Sequence, residues 1–338
     1  MKFAPPMLLI LSIVCLPGLL LLDVKSAHAV ELTLPGYQSQ DGMITVHFRG
    51  DQVDPYFSAK ALLVAREVGV DAGKAAIAWI NWVMPRQRTD GSFDRYCRRG
   101  KGFVTCEAAD ADDATLALWI ELLVSFEPPG GMPKAWRASL RRASEHLQSL
   151  QDHRLGVYRI SATQPVSLLM DNIEVYSALR ALADFYSRIG DDVRSQLWRA
   201  RSKLLSDAIA RVFRVPGGSF RVSTQDLRTS SFYPDKVAQL FPLLAEMKYP
   251  DSDESWRYSE WMRVNRAEWF ALAESDYPWA LVALAAYKAG DQRTVSCWRA
   301  HAAPFRYSRH WNVLEESLYT ALARGGVDDA LPPCVNLD

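Results

Sequence analysis

Trp279-Ala280-Leu281-Val282-Ala283-Leu284-Ala285-Ala286 runs for two helical turns without a charged or polar residue. Ala114-Thr115-Leu116-Ala117-Leu118-Trp119-Ile120 carries one polar residue in seven. A helix that is apolar on every face must be buried on most sides. Six segments of this kind are expected: Pro55 to Val70, Asp113 to Phe126, Asn172 to Ile189, Lys236 to Met247, Tyr277 to Ala289 and Trp311 to Arg324. Five of them follow an aspartate and the sixth follows His310. Between them lie segments with a clearer polar face: Ala72 to Met84, Pro133 to Leu150, Val193 to Phe213, Ser255 to Ala273 and Gln292 to Ala302. The second of these carries Arg137, Arg141, Arg142 and Glu145. Buried and amphipathic helices alternate, which predicts an inner ring of helices inside an outer one.

A weak repeat points the same way. Gly91-Ser92-Phe93, Gly156-Val157-Tyr158 and Gly218-Ser219-Phe220 each follow an outer segment, with glycines 65 and 62 residues apart. Repeats of two helices and a loop build solenoids or closed rings. Six such hairpins predict an all-α (α/α)6 toroid, with a few short strands around the glycine motifs.

The chain has 338 residues, 49% hydrophobic and 11% aromatic, which argues against disorder. Its 39 basic and 39 acidic residues leave no net charge, against the basic surface that nucleic-acid binding needs. Lys2, an apolar run from Met7 to Leu22 and Ala27-His28-Ala29 form the pattern of a signal peptide cleaved before Val30. The domain plan is therefore a signal peptide at 1–29 and a single toroid at 30–338, periplasmic or secreted. No later apolar run is long enough to span a membrane. Four cysteines follow residue 29, and an even number in an exported chain suggests two disulfides. Cys97–Cys106 is favoured, closing a short loop, and Cys297–Cys334 would pin the tail. No cysteine or histidine spacing fits zinc, so neither a metal nor a cofactor is expected.

The hairpin count, the buried inner helices and the acidic starts of those helices resemble the six-hairpin glycosidases. Locally, Ala108-Ala109-Asp110-Ala111-Asp112-Asp113-Ala114 and the apolar run to Trp119 are similar to the second inner helix of family 8 glycoside hydrolases. That resemblance implies a segment lining a sugar cleft. The first inner helix departs from the family, because Asp54-Pro55-Tyr56-Phe57-Ser58-Ala59-Lys60 has no glutamate where the family keeps its catalytic acid.

Parallel inner helices bring one set of helix ends to a common mouth. Glycoside hydrolysis needs two carboxyl groups flanking the scissile bond, one acting as acid. A raised pKa comes from burial or a neighbouring negative charge. Aspartate is also a favoured N-cap, but a helix needs only one cap, and Asp110-Ala111-Asp112-Asp113 supplies three carboxyls. Asp112, Asp113 and Asp171 are therefore the candidate catalytic residues. Asp110, Asn172, Glu174, Asp235, Asp276 and Glu315 are candidate sugar contacts, with Tyr233, Trp279 and Trp311 as stacking platforms. Glu315-Glu316 comes later in its expected helix, so at least one should point away from the mouth.

The leading expectation is a glycoside hydrolase acting on a polysaccharide or oligosaccharide. Arg306-Tyr307-Ser308-Arg309-His310-Trp311-Asn312 leaves a lyase centred on Tyr307, Arg309 and His310 open. A non-catalytic glycan-binding protein, working with an exopolysaccharide assembly machinery, is the third reading. No phosphate loop or GxSxG elbow occurs.

Overall fold

Eleven α-helices are seen in a computed structural model that describes residue 1 and residues 30–225, 231–248 and 254–324. The expected signal peptide and Cys334 lie outside the described residues. Six helices are inner: α1 (Pro55–Glu67), α3 (Asp112–Ser125), α5 (Leu169–Arg188), α7 (Phe241–Leu244), α9 (Ala280–Lys288) and α11 (Val313–Arg324). Five are outer: α2 (Gly73–Val83), α4 (Lys134–Ser149), α6 (Asp192–Phe213), α8 (Glu254–Leu272) and α10 (Gln292–Ala302).

The inner helices pack in chain order, α1 on α3, α3 on α5, α5 on α7, α7 on α9 and α9 on α11, and α11 returns to α1. The ring is closed. At its seam the hydroxyl of Ser317 donates to the Ala61 carbonyl at 2.6 Å. The chain is the (α/α)6 toroid that its alternating helices predict. Inner helices touch neighbours on both sides and outer helices behind. This is why Ala114–Ile120 and Ala280–Ala286 are buried throughout. In α4, by contrast, Trp136, Leu140, Ala143 and Leu147 are buried while Arg141 and Glu145 face water.

The fourth inner position departs from the continuous helix expected over Lys236 to Met247. A five-residue π-turn, Phe232–Lys236, precedes α7, which has only four residues. Two prolines account for this. Tyr233 precedes Pro234 and is extended (φ −111°, ψ 131°), as a residue before proline tends to be. Pro242 has no N–H to continue the helix. Likewise α9 starts three residues later than expected, after Pro278 and a left-handed Trp279 (φ 50°).

Strands β1 (Gln52–Val53), β2 (Asp94–Arg99) and β3 (Gly102–Ala108) form an antiparallel sheet in that order. Cys97–Cys106 clips β2 to β3. This hairpin follows the first glycine motif. The other two motifs form single bridges, Gln151 with Tyr158 and Arg214 with Phe220. Gly91 is required at its position: its φ is +100°, and a Cβ there would lie 2.5 Å from the Arg142 carbonyl oxygen of α4. Among the described residues no helix is long and apolar enough to cross a membrane.

Candidate active site

The starts of the inner helices converge on a cavity of about 620 Å³. Tyr56 comes from α1, Ala114 and Thr115 from α3, Asp171 from α5, Tyr233 and Phe241 from the fourth position, Trp279 and Leu281 from the start of α9, and Glu315 from α11. Every inner position contributes a wall.

The acids at these helix starts divide by capping. Asp54 is a cap: its Oδ1 accepts the Tyr56 N–H at 2.9 Å, and its Oδ2 accepts Arg95 Nε at 2.7 Å. Both oxygens are committed, although Asp54 lines the cavity. Helices α3 and α5 have no side-chain cap. On α11, Asn312 accepts the Leu314 and Glu315 N–H groups. Of the first-turn acids, Asp113 gives one oxygen to the Ala114 N–H of its own helix and Glu315 gives one to the Ala280 N–H that opens α9, while Asp171 Oδ2 is buried without a partner.

Asp171 lines the cavity at the start of α5, 8% exposed. Asp113 lies behind it, wholly buried, and its Oδ1 accepts the Ala114 N–H at 2.9 Å. The Oδ2 atoms of both residues are buried and meet no nitrogen or hydroxyl donor. The two carboxyls lie within hydrogen-bonding reach of each other. Burial, and then the Asp171 charge, holds Asp113 far above the usual carboxylate range. Burial and then the Glu174 charge raise Asp171, while the hydrogen bond from Asp113 acts in the opposite sense. Of the two, Asp171 is the member that lines the cavity.

Glu315 stands on the opposite wall, because α5 and α11 are third and sixth in a ring of six. Its Oε2 accepts the Ala280 N–H at 2.8 Å. Burial pushes its pKa up to about 8, the Ala280 N–H works against that, and the Asp276 charge adds to it. Asp276 also lines the cavity. Glu316 points away, bound to Arg306 and to the Trp311 indole.

An aromatic platform flanks these acids. Tyr233, 52% exposed, stacks on Trp279 with ring centroids 4.8 Å apart and planes 18° apart. Tyr277 meets Trp279 edge-on. Two outer-helix indoles hold the loop behind them: Trp269 Nε1 from α8 and Trp298 Nε1 from α10 both donate to the Pro278 carbonyl at 2.9 Å.

The remaining candidates scatter. Asp110 lines the cavity at its lip, its side chain 88% exposed and 3.7 Å from Arg95. Asp112 does not line it; it opens α3 beside Asp90, Arg88 and His146, and burial raises its pKa. Asn172 is buried and serves the backbone, bonding the Tyr158 N–H and carbonyl and the Leu168 carbonyl. Asp235 accepts from Ser231 through both its N–H and its hydroxyl. Trp311 is a core residue, 0% exposed, not a platform. Glu174 lies behind the cavity, bonded to Tyr56 and Lys60. Tyr307, Arg309 and His310 do not line the cavity; of the segment 306–312 only Asn312 does.

Tyr56, Arg95 and Glu268 line the cavity without having been singled out from the sequence. Arg95 precedes Cys97 by two residues at a bulge in β2, and its place just ahead of the disulfide loop was the one available signal. Glu268 had none, since it belongs to outer helix α8 and comes in beside the interrupted fourth position.

No family model and no curated protein matches the chain. Solved structures do match. A rhamnosidase from Klebsiella oxytoca with rhamnose bound is 13% identical, with a TM-score of 0.52 over 75% of this chain. A glycosidase variant in complex with glucose is 13% identical, with a TM-score of 0.55 over 86% of this chain and 93% of its own. An uncharacterized conserved protein from Thermus thermophilus is 12% identical, with a TM-score of 0.52 over 85% of this chain and 96% of its own. The chain shares the fold of these glycosidase structures. This six-hairpin chain spans half the length of the rhamnosidase, and at such identities the likeness concerns the fold.

Proposed function

We propose that the protein is an exported glycoside hydrolase that cuts a polysaccharide, with Glu315 as general acid and Asp171 as general base. The observation that carries this reading is that the carboxyls of Asp171, on the third inner helix, and Glu315, on the sixth, both line one cavity. Hydrolysis requires acids on two sides of the scissile bond. Glu315 donates its proton to the glycosidic oxygen. Asp171 takes a proton from a water, whose oxygen attacks the anomeric carbon as the bond to the leaving sugar breaks. Asp113 holds Asp171 in orientation from within hydrogen-bonding reach. The Tyr233–Trp279 stack offers a flat apolar face to the C–H side of a sugar ring. Arg95 is the cation that lines the cavity among the described residues, and it is already paired with Asp54.

The test is incubation of the mature protein with a panel of polysaccharides, beside Glu315→Gln and Asp171→Asn. New reducing ends without unsaturated products, lost in both variants, are expected. Unsaturated products would overturn the assignment in favour of a lyase. Tight glycan binding with no new ends would overturn it in favour of a binding protein.

A further inference from the structure

Glu174 sits one helical turn along α5 from Asp171, with its side chain 2% exposed. Its Oε1 accepts the Tyr56 hydroxyl at 2.9 Å and the Lys60 ammonium at 2.8 Å, while its Oε2 is buried without a partner. Glu174 and Lys60 line a second, smaller cavity of about 180 Å³, built from later turns of the inner helices. Phe241 and Leu281 line both cavities. The Lys60–Glu174–Tyr56 group therefore lies in the partition between them, and Tyr56 itself lines the larger one. Buried ion pairs seldom stabilise a fold by much, because desolvation offsets the attraction. This one lies one turn along α5 from Asp171.

We propose that Glu174, held by Tyr56 and Lys60 one helical turn along α5, is a positioning residue for Asp171 in its role as base, with Lys60 opposing it. The proposal rests on the hydrolase reading for its purpose but not for its geometry. The charged and titratable groups facing the pair are few. Helix α1 supplies Tyr56 and Lys60, the loop before α3 supplies Asp110, α3 supplies Asp113 and Glu121, and the fourth position supplies Tyr233. No group of outer helix α6 is paired with Asp171 or Glu174 among the described residues. In agreement with the geometry, the Glu174 charge raises the Asp171 pKa and the Lys60 charge lowers it.

Opposite signs make the test specific. The C=O stretch of protonated carboxyls is followed by infrared spectroscopy against pH, and Asp171→Asn identifies the band. Glu174→Gln should move the midpoint down by about one pH unit or more. Lys60→Met should move it up. The double variant Lys60→Met/Glu174→Gln should fall between Glu174→Gln and the unaltered protein. If Lys60→Met does not fold, the double variant and Glu174→Gln still give two ordered midpoints. Midpoints that stay in place, or that move in one direction for both single variants, would overturn the proposal. The measurement needs no substrate, so it can fail while hydrolysis stands, or hold while hydrolysis fails. Where hydrolysis is observed, the acid limb of kcat/KM should move with the band, which a merely structural ion pair would not cause.

Discussion

Trp279 adopts φ 50°, a conformation that costs a non-glycine residue of order 1–3 kcal/mol. The strain coincides with two features of the cavity: the indole lies against Tyr233, and the next N–H, from Ala280, reaches Glu315. Strained backbone tends to persist where function holds it. Trp279→Gly should fold about 1 kcal/mol more stably than Trp279→Ala, since glycine accepts this φ without a Cβ penalty. Urea titration compares them. Both should weaken glycan binding roughly tenfold, about 1.4 kcal/mol, as read by calorimetry.

Glu315 makes a second prediction at the same scale. Burial raises its pKa from 4.5 to about 8. A carboxyl raised on folding contributes stability at pH values below its unfolded pKa, and loses it as pH rises through the folded one. The melting temperature should therefore fall between pH 5 and pH 9. Glu315→Gln should make that fall shallower, without removing it, because Asp113 and Asp171 remain. An unchanged slope in this variant would mean that Glu315 is ionised at neutral pH.

At the scale of the element, the β2–β3 hairpin carries Arg95 to Asp54 and so presses one lip of the cavity into place. The Cys97–Cys106 bridge closes it with a sequence separation of 9. Replacing both cysteines with serine should cost about 2–3 kcal/mol in a denaturant titration, the loop-entropy value for a short loop. It should also weaken glycan binding, because Arg95 loses its anchorage. A double variant that binds as well as the unaltered protein would separate the hairpin from the site. Outer helices act on the site in a similar way. Through Trp269 and Trp298, α8 and α10 both hold the Pro278 carbonyl that precedes the strained tryptophan.

Closure belongs to the whole molecule. The α1–α11 seam joins residues far apart in the chain, and it brings Glu315 to face Asp171. Ala61 is 0% exposed there, and its carbonyl accepts from Ser317. Ala61→Leu should overpack the seam at a cost of about 1–3 kcal/mol. Because opening the seam moves one wall, activity on a polysaccharide should fall by more than thermal stability alone explains. Comparing rate and folded fraction at the same temperature checks this.

The apolar faces of the inner helices, the polar faces of the outer ones and the Cys97–Cys106 pairing were legible in the sequence, because each follows from residues near in the chain. A helix without a polar face has to be inside, whatever surrounds it. The interruption of the fourth inner helix was legible in principle too, since Pro234 and Pro242 announce it locally. The crowding of acids at 110–113 pointed to the right helix start, but periodicity could not say which of them faces inward. Asp113 and Asp112 are neighbours, yet one is buried behind Asp171 and the other lies beside His146. Trp311 and Glu316 had the residue types of a sugar site and turned out to bond each other in the core. The sequence by itself determined the ring of helices and the chemical types available at its mouth. Only the tertiary structure decided which carboxyls oppose each other, which are spent on caps, and that Arg95 and Glu268 enter the cavity. Those outcomes depend on ring closure between distant segments, and burial, charge coupling and capping take their values only once the ring is closed.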